Sequence, residues 1–235
     1  MAGRRHGPDT FSRGAMLVSK SELRKQFFEK LWKDHEGIAC LATTDQPNPK
    51  ASFKQHFFKW PTEHGRIEQF FLYNEQRKNI YFCINLLSKM ERRKEFCLKS
   101  DVLWADLDDA DVTQFEDSNF LPTILVESSP GKHQAYWCLQ SELPPYQAED
   151  YSRRLAYKYG ADRSGWDLTQ LLRVPFTKNL KYEDRPPITI KHMLNAVAPP
   201  ALFEQLPSMF LEPTDSDIPT DDSPTAEEVI YKYGV

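Results

Sequence analysis

Apolar and polar residues recur along the chain with two different periods, and the changes of period mark the expected elements. The first pattern has helical spacing and places five large apolar residues on one face: Leu23, Phe27, Phe28, Leu31 and Trp32. Ser19 precedes them and Glu22 follows it three residues later, the arrangement of a capping box. The pattern therefore predicts a helix over about 20–34 with a basic outer face.

Most of the remaining apolar residues lie in short runs bounded by Gly, Pro, Asn and Asp, which is typical of strands. These runs predict strands at 37–44, 51–60, 67–73, 79–86, 103–108, 121–127, 134–139 and 188–191. Two further helices are predicted, one over 146–159 that ends at Gly160 and a short one over 199–206.

Composition narrows the class of protein. The 235 residues include 15 Phe, 10 Tyr and 5 Trp, enough aromatic material for the core of one large domain or two small ones. The four cysteines form no Cys-x-x-Cys pair, and three of them (Cys40, Cys83, Cys138) lie inside apolar runs. They are expected to be reduced and buried, as in an intracellular protein. Without a signal-peptide pattern or an apolar run of membrane-spanning length, the sequence predicts a cytoplasmic protein with no membrane partner.

The charged residues are distributed unevenly, with a basic N-terminal end and an acidic C-terminal end. Residues 1–35 hold eight Lys and Arg against four acids, and residues 212–235 hold seven acids against one Lys, so the net charge of −4 does not exclude a nucleic-acid partner. Residues 1–18 are predicted to be a disordered basic N-terminus and 19–211 a folded domain. The Pro- and Asp-rich segment 212–235 is predicted to be a linker or tail, which as a linker would lead to a helicase or accessory domain.

Candidate chemistry begins in the strand Leu103-Trp104-Ala105-Asp106-Leu107-Asp108. Because side chains alternate along a strand, Asp106 and Asp108 point the same way with their Cα atoms roughly 6.6 Å apart. Two such carboxylates repel each other unless a cation lies between them, and Mg²⁺ or Mn²⁺ prefers oxygen ligands. The alternative is that the pair is a solvated strand end, since Asp is common in turns.

Other polar groups follow this strand. The loop from Ser128 to His133 joins two predicted strands and concentrates Ser129, Lys132 and His133 beside Gly131, groups that suit a phosphate. Its alternative is ordinary Ser-Pro-Gly turn chemistry. Further on, Asp167 lies in a polar turn before Arg173, and an exposed loop is predicted to present three side chains to a sugar or phosphate: Thr177, Asn179 and Lys181.

Taken in order, these motifs resemble the archaeo-eukaryotic primase superfamily, in particular the RepB-like primase–polymerases of plasmid and phage replication proteins. Leu103 to Asp108 resembles the family's first motif, an apolar strand ending in Asp-x-Asp. Gly131-Lys132-His133 resembles the second, a small residue-x-His, and Trp166-Asp167 resembles the third, an acid with an apolar flank. The family often carries Gly where this chain has Phe176. The resemblance covers about residues 36–195.

The resemblance implies an α+β (α/β mixed) fold, in which a mostly antiparallel sheet like that of an RNA-recognition motif joins an N-terminal αβ unit. It implies that Asp106, Asp108 and Asp167 hold two divalent ions, Mg²⁺ or Mn²⁺. Ser129, Lys132, His133 and Arg173 would hold the incoming NTP or dNTP, and the template would be single-stranded DNA. Catalysis would be two-metal nucleotidyl transfer that makes or extends primers.

Two other functions are compatible with the same residues. A nucleic-acid-binding replication module could keep the fold without the activity, and it would bind DNA without metal. A metal-dependent nuclease could use the same carboxylates. The product distinguishes the three: a primase–polymerase makes longer strands, a binding module leaves strands unchanged and a nuclease shortens them.

Overall fold

The fold is described by a computed structural model for residues 19–45, 53–108, 110–116 and 118–208. Within these ranges the helices are α1 (Lys20–Trp32), α2 (His64–Asn74), α3 (Pro145–Lys158) and α4 (Ala201–Glu204). The strands are β1 (Gly37–Thr44), β2 (Lys54–Trp60), β3 (Asn79–Cys83), β4 (Ser100–Leu107), β5 (Ile124–Ser129), β6 (Lys132–Leu143), β7 (Leu171–Arg173) and β8 (Thr189–Met193). The expectations for residues 1–18 and 212–235 lie outside the described residues.

The strands form two four-stranded sheets in which every described pairing is antiparallel. The first sheet has the order β2-β1-β3-β7 and the second has the order β4-β6-β5-β8. This confirms the α+β expectation with mostly antiparallel pairing. Because β7 comes late in the chain yet completes the first sheet, the segment after α3 returns to the N-terminal unit.

Helix α1 begins and packs as its pattern predicts. The Ser19 hydroxyl accepts a hydrogen bond from the backbone N–H of Glu22, 3.1 Å away, which satisfies one otherwise unpaired donor of the first turn. Its apolar face lies in the core, where the Phe28 ring stacks on Trp32 with centroids 4.7 Å apart and meets Phe82 of β3 edge to face at 5.3 Å. The helix thus covers one face of the first sheet.

The strand predicted over 67–73 is wrong, because this segment lies inside helix α2. The buried residues of α2 are Ile67, Phe71 and Asn74, which have helical spacing, and the Phe71 ring stacks on Phe28 at 5.9 Å. The apolar run Phe70-Phe71-Leu72-Tyr73 has strand-like composition, yet Leu72 and Tyr73 are exposed. Packing against α1 decides the structure of this short ambiguous run.

Strand β4 carries the acidic pair, and it is buried on both faces although it lies at the edge of the second sheet. Leu103 and Trp104 are both fully buried. Helix α3 covers the strand, and the Ser152 hydroxyl accepts a hydrogen bond from the backbone N–H of Trp104 at 3.2 Å. The burial fixes the direction of the strand, so Asp106 projects from a rigid element and Asp108 follows the strand end at Leu107.

Strand β1 has the predicted bounds, the other remaining elements occur with shifted ends, and β7 was not predicted. None of the described helices has the length and apolar character that a transmembrane span requires.

Candidate active site

Asp106 lies in surroundings that strongly disfavour the charged form of its carboxyl group. Its Oδ1 atom is buried and has no hydrogen-bond partner. Burial, together with the charges of Asp108 and Asp162, raises the pKa of Asp106 to about 7, although Arg173 and Lys132 act in the opposite direction. A carboxylate in this state gains most from an additional cation.

Asp108 and Lys132 form the rim of the same site. Asp108 lies one residue beyond β4 and is partly exposed, and its Oδ2 is 3.3 Å from the Lys132 ammonium. Lys132 is the first residue of β6, directly after the Pro130-Gly131 turn, where Gly131 has the positive φ of 74° that favours glycine. The hairpin thus brings Lys132 next to the acidic pair.

Asp162 is an acid that the sequence analysis missed. Its backbone N–H donates to the Asp106 carbonyl at 2.8 Å, and its charge contributes to the raised pKa of Asp106. The turn that follows Asp162 packs closely against Asp106, since a Cβ atom added to Gly165 would lie only 3.0 Å from the Cβ of Asp106. The sequence Gly160-Ala161-Asp162 directly after helix α3 was the available signal, since it places an acid at the start of a loop after a helix stop.

Asp167, the acid that the resemblance assigns, has different partners. Its carboxylate pairs with Lys94 at 2.8 Å and accepts hydrogen bonds from the backbone N–H and hydroxyl of Thr169. Burial acts to raise the pKa of Asp167, but the hydrogen bonds from Lys94 and Thr169 bring it below its ordinary value. Lys94 also forms an ion pair with Glu149 of α3 at 2.7 Å. Through Lys94, Asp167 therefore connects the 162–170 loop to helix α3.

His133 and Ser129 lie beside the hairpin turn but in surroundings different from those of Asp106. In the register of the second sheet, His133 is opposite Leu107 and Glu127, whereas Asp106 is opposite Gln134. Since paired residues share a face, His133 projects on the other face from Asp106. Burial lowers the pKa of His133, and its Nδ1 is buried without a hydrogen-bond partner. Ser129 is buried.

Gln134 occupies the position opposite Asp106 and was also missed. It is buried, and its Oε1 accepts a hydrogen bond from the backbone N–H of Arg173 at 3.1 Å and one from the Tyr136 hydroxyl at 3.4 Å. Because β6 belongs to the second sheet and β7 to the first, Gln134 joins the two sheets directly beside the acidic pair.

Both the backbone and the side chain of Arg173 are fixed by hydrogen bonds. Its Nη1 donates to Oδ1 of Asn79 at 3.0 Å, and its guanidinium lies 4.9 Å from the centre of the Tyr81 ring. Its charge lowers the pKa of Asp106. The predicted phosphate ligand is therefore a preorganised cation within electrostatic reach of the carboxylates.

The prediction of an exposed loop at 177–179 is wrong for its two polar side chains. Thr177 and Asn179 are each 2% exposed. The Thr177 hydroxyl donates to the Val174 carbonyl at 2.7 Å, and the Asn179 amide donates to the Ser128 carbonyl at 3.0 Å. The Asn179 bond ties the segment after β7 to the β5–β6 hairpin, whereas the Thr177 bond is local to that segment. Lys181 is exposed, and its backbone N–H donates to Oδ1 of Asn179.

Comparison with known proteins places this site in a family. The model of the RepB DNA-primase N-terminal domain matches residues 60–189, more than half of the chain. The chain belongs to this primase family. The match contains β4, the β5–β6 hairpin and both candidate third acids, Asp162 and Asp167.

A curated relative and several solved structures accompany the family match. A replication protein of Clostridium perfringens is 26% identical over 146 residues, which cover 54% of this chain and 35% of that protein. The matched part thus spans about a third of the relative. The AEP domain of the cyanophage S-2L primase-polymerase superposes with a TM-score of 0.60 at 14% identity, covering 77% of this chain and 95% of that chain.

The primase RepB′ has the same fold. Its catalytic domain in complex with initiator DNA superposes with a TM-score of 0.58 at 17% identity and covers 78% of this chain and 93% of that chain. The two sheets found here are therefore the fold of a primase catalytic domain.

The residues present fit a divalent cation, although no preformed metal cage exists. Within the described residues, no three His, Cys, Asp or Glu side chains converge as a metal-binding group. The fit rests on the partnerless buried oxygen of Asp106 and on its proximity to the charges of Asp108 and Asp162. Hard oxygen donors of this kind suit Mg²⁺ or Mn²⁺, which commonly bind through one or two carboxylates together with substrate phosphates.

Proposed function

We propose that this chain is the catalytic domain of a replication primase–polymerase, which makes or extends primers on single-stranded DNA from NTPs or dNTPs. The observation that carries the proposal is the buried, partnerless carboxylate oxygen of Asp106 beside Asp108, with Lys132 and Arg173 close enough to affect its pKa. Carboxylates for metal next to cations for phosphate are what phosphoryl transfer requires. The family match and the shared primase fold support it.

Asp106 and Asp108 would hold the divalent ions, and we propose Asp162 as the third acidic residue. When bound, two ions stabilise the attacking and leaving oxygens of an in-line displacement. The resemblance assigns the third position to Asp167, and this assignment stays a prediction. Asp162 is favoured because its charge reaches Asp106, whereas Asp167 is paired with Lys94.

Lys132 and Arg173 would bind the triphosphate of the incoming nucleotide. Arg173 suits a phosphate oxygen because Asn79 and Tyr81 fix its guanidinium, which reduces the entropy lost on binding. Lys132 is paired with Asp108, so it would exchange a carboxylate partner for a phosphate. Ser129 and His133 remain predicted contributors from the hairpin, with Ser129 buried and His133 on the other face of β6.

The experiment is primer synthesis on single-stranded DNA with Mg²⁺ or Mn²⁺, labelled ATP and all four dNTPs, on unprimed and primed templates. The full chain is compared with the Asp106→Asn/Asp108→Asn double variant, in which the side-chain shapes are kept. We expect labelled, longer strands from the wild type and none from the variant. Unchanged strands on both templates would overturn the proposal in favour of a binding module, and shortened strands in favour of a nuclease.

The same assay decides between the two candidate third acids. Asp162→Asn should lower the rate by about 100-fold or more, because a carboxylate at the reacting centre would be lost. Asp167→Asn should lower it by only about tenfold, since it loosens the loop through Lys94 and Thr169. The reverse order of effects would return the third position to Asp167.

A further inference from the structure

One face of the first sheet is covered by helices and the opposite face carries a row of aromatic and basic residues. The helix side holds Phe58, Trp60 and Phe82, which pack against α1 and α2. Because cross-strand partners share a face, the register places Gln55, Ala42, Tyr81 and Arg173 in one row on the other side. We call the accessible part of this side the open face: Phe53, Gln55 and Lys59 are exposed and Tyr81 and Arg173 are partly exposed, whereas Ala42 in the middle of the row is buried.

The rings on the open face are arranged for contact with a further planar group. Phe53, which precedes β2, is 40% exposed, and its ring meets the Tyr81 ring at a centroid distance of 5.3 Å. Tyr81 in turn lies under the Arg173 guanidinium at 4.9 Å. The row crosses three strand spacings, about 14 Å, the length of roughly four nucleotides at duplex spacing.

The charge of the open face favours a polyanion. Arg173 lies at one edge of the sheet and the exposed Lys59 lies on the strand at the other edge. In the described strands of the first sheet, the positions on this face carry no acidic residue. The row ends at Arg173, so it is continuous with the acidic pair.

We propose that the open face binds the single-stranded DNA template and that Phe53 stacks on one of its unpaired bases. Aromatic rings that stack bases, together with cations that follow the phosphates, are the features that bind single strands without sequence readout. The inference rests on the proposed function, because the acidic pair at the end of the row is where the template would be copied. It adds a template platform and a residue outside the catalytic motifs.

The test measures binding apart from synthesis. Fluorescence anisotropy of a labelled oligo(dT) of about 16 nucleotides is recorded in EDTA with the full-length wild type, Phe53→Ala and Phe53→Trp. Phe53→Ala should weaken binding by about tenfold and Phe53→Trp should keep it, because stacking needs a ring. On an oligonucleotide of abasic sites with the same length, Phe53→Ala and wild type should bind equally. Circular dichroism checks that each variant is folded.

The control is Tyr146→Ala, which removes an aromatic ring that is 74% exposed on α3, away from the first sheet. It should bind oligo(dT) like the wild type. Equal affinities of Phe53→Ala and wild type for oligo(dT), an equal loss on abasic DNA, or an equal loss in Tyr146→Ala would overturn the platform. Absence of primer synthesis in a protein with the expected Phe53 effect would overturn the proposed function alone.

Discussion

At the scale of single residues, Asp106 is unusual because the pKa of its carboxyl group lies close to neutral pH. Its pKa of about 7 exceeds the ordinary value of 3.8, so between these values the folded protein binds a proton that the unfolded chain does not. The resulting stabilisation is complete below about pH 4 and is lost as the pH rises through 7. The free energy of unfolding should therefore fall over this interval, and Asp106→Asn should lack that fall.

Urea unfolding in EDTA at a series of pH values measures both proteins, and the difference between the two curves isolates Asp106. The difference should change between pH 4 and 7 and stay constant above it. Curves that remain parallel over the whole range would contradict the raised pKa.

Residue assignments within motifs depend on register, which the sequence did not fix. Asp106, Asp108, Lys132 and His133 were predicted as members of one site, and the structure places Lys132 3.3 Å from Asp108. The cross-strand partner of Asp106 is Gln134, which was not predicted, and His133 lies on the other face of β6. The strand was expected to begin at Gln134 but begins at Lys132. No local signal sets the length of the hairpin loop, and a shift of one residue exchanges the two faces of the strand.

At the scale of elements, Arg24 fastens α1 to α2 and to the segment after β7. Its side chain is 1% exposed and forms ion pairs with Glu68 of α2 and with Glu75, the residue directly after α2. It also donates a hydrogen bond to the carbonyl of Phe176 at 3.4 Å. Phe176 has a positive φ of 63°, the backbone conformation that glycine favours, at the position where the sequence resemblance leads us to expect Gly. Arg24 thus supports the loop that follows Arg173.

Arg24→Met should destabilise the domain by about 3–5 kcal/mol, because it leaves two largely buried carboxylates without their cation. Lys25→Met is the matched control. Lys25 is next in sequence and half-exposed, and its pair with Glu29 is solvated, so its loss should cost less than about 1 kcal/mol. Urea denaturation at neutral pH measures both variants. Equal midpoints for the two variants would show that the buried network contributes nothing beyond a surface pair.

Elements with one clear period were predictable, and those whose structure depends on distant partners were not. Helices α1 and α3 and strand β4 follow from spacing, caps and a helix-stopping Gly160. The sequence predicts a strand where helix α2 lies, because its short apolar run is compatible with either structure. Packing against α1 selects the helix. Strand β7 has three residues and forms only by pairing with β3, which is about 90 positions earlier in the chain.

At the scale of the whole molecule, the site exists only where the two sheets meet. Asp106, Asp108 and Lys132 belong to the second sheet and its edge, whereas Arg173, Asn79 and Tyr81 belong to the first. The sequence indicated Asp106, Asp108, Lys132 and Arg173 through their order along the chain, but it did not indicate Asn79 or Tyr81. It could not indicate that Gln134 joins the sheets, because a contact between β6 and β7 has no local pattern.

The buried apolar residues of both sheets form one continuous core. Phe27 of α1 contacts Phe82 of the first sheet at 5.6 Å and Tyr136 of the second at 5.7 Å, so one aromatic cluster spans the interface. Loss of either sheet would expose the other, and the two should therefore unfold together as a single cooperative unit. The catalytic geometry would then have the stability of the whole domain.

Native-state hydrogen exchange measures this cooperativity strand by strand. The slowest amides of β3 and β6 should report the same free energy of opening, equal to that of global unfolding in urea. In Phe27→Ala, which should lose about 3–5 kcal/mol, both values should fall together. A lower opening free energy for β3 alone would mean that the first sheet opens independently, in which case Arg173 would reach the carboxylates only in the closed state.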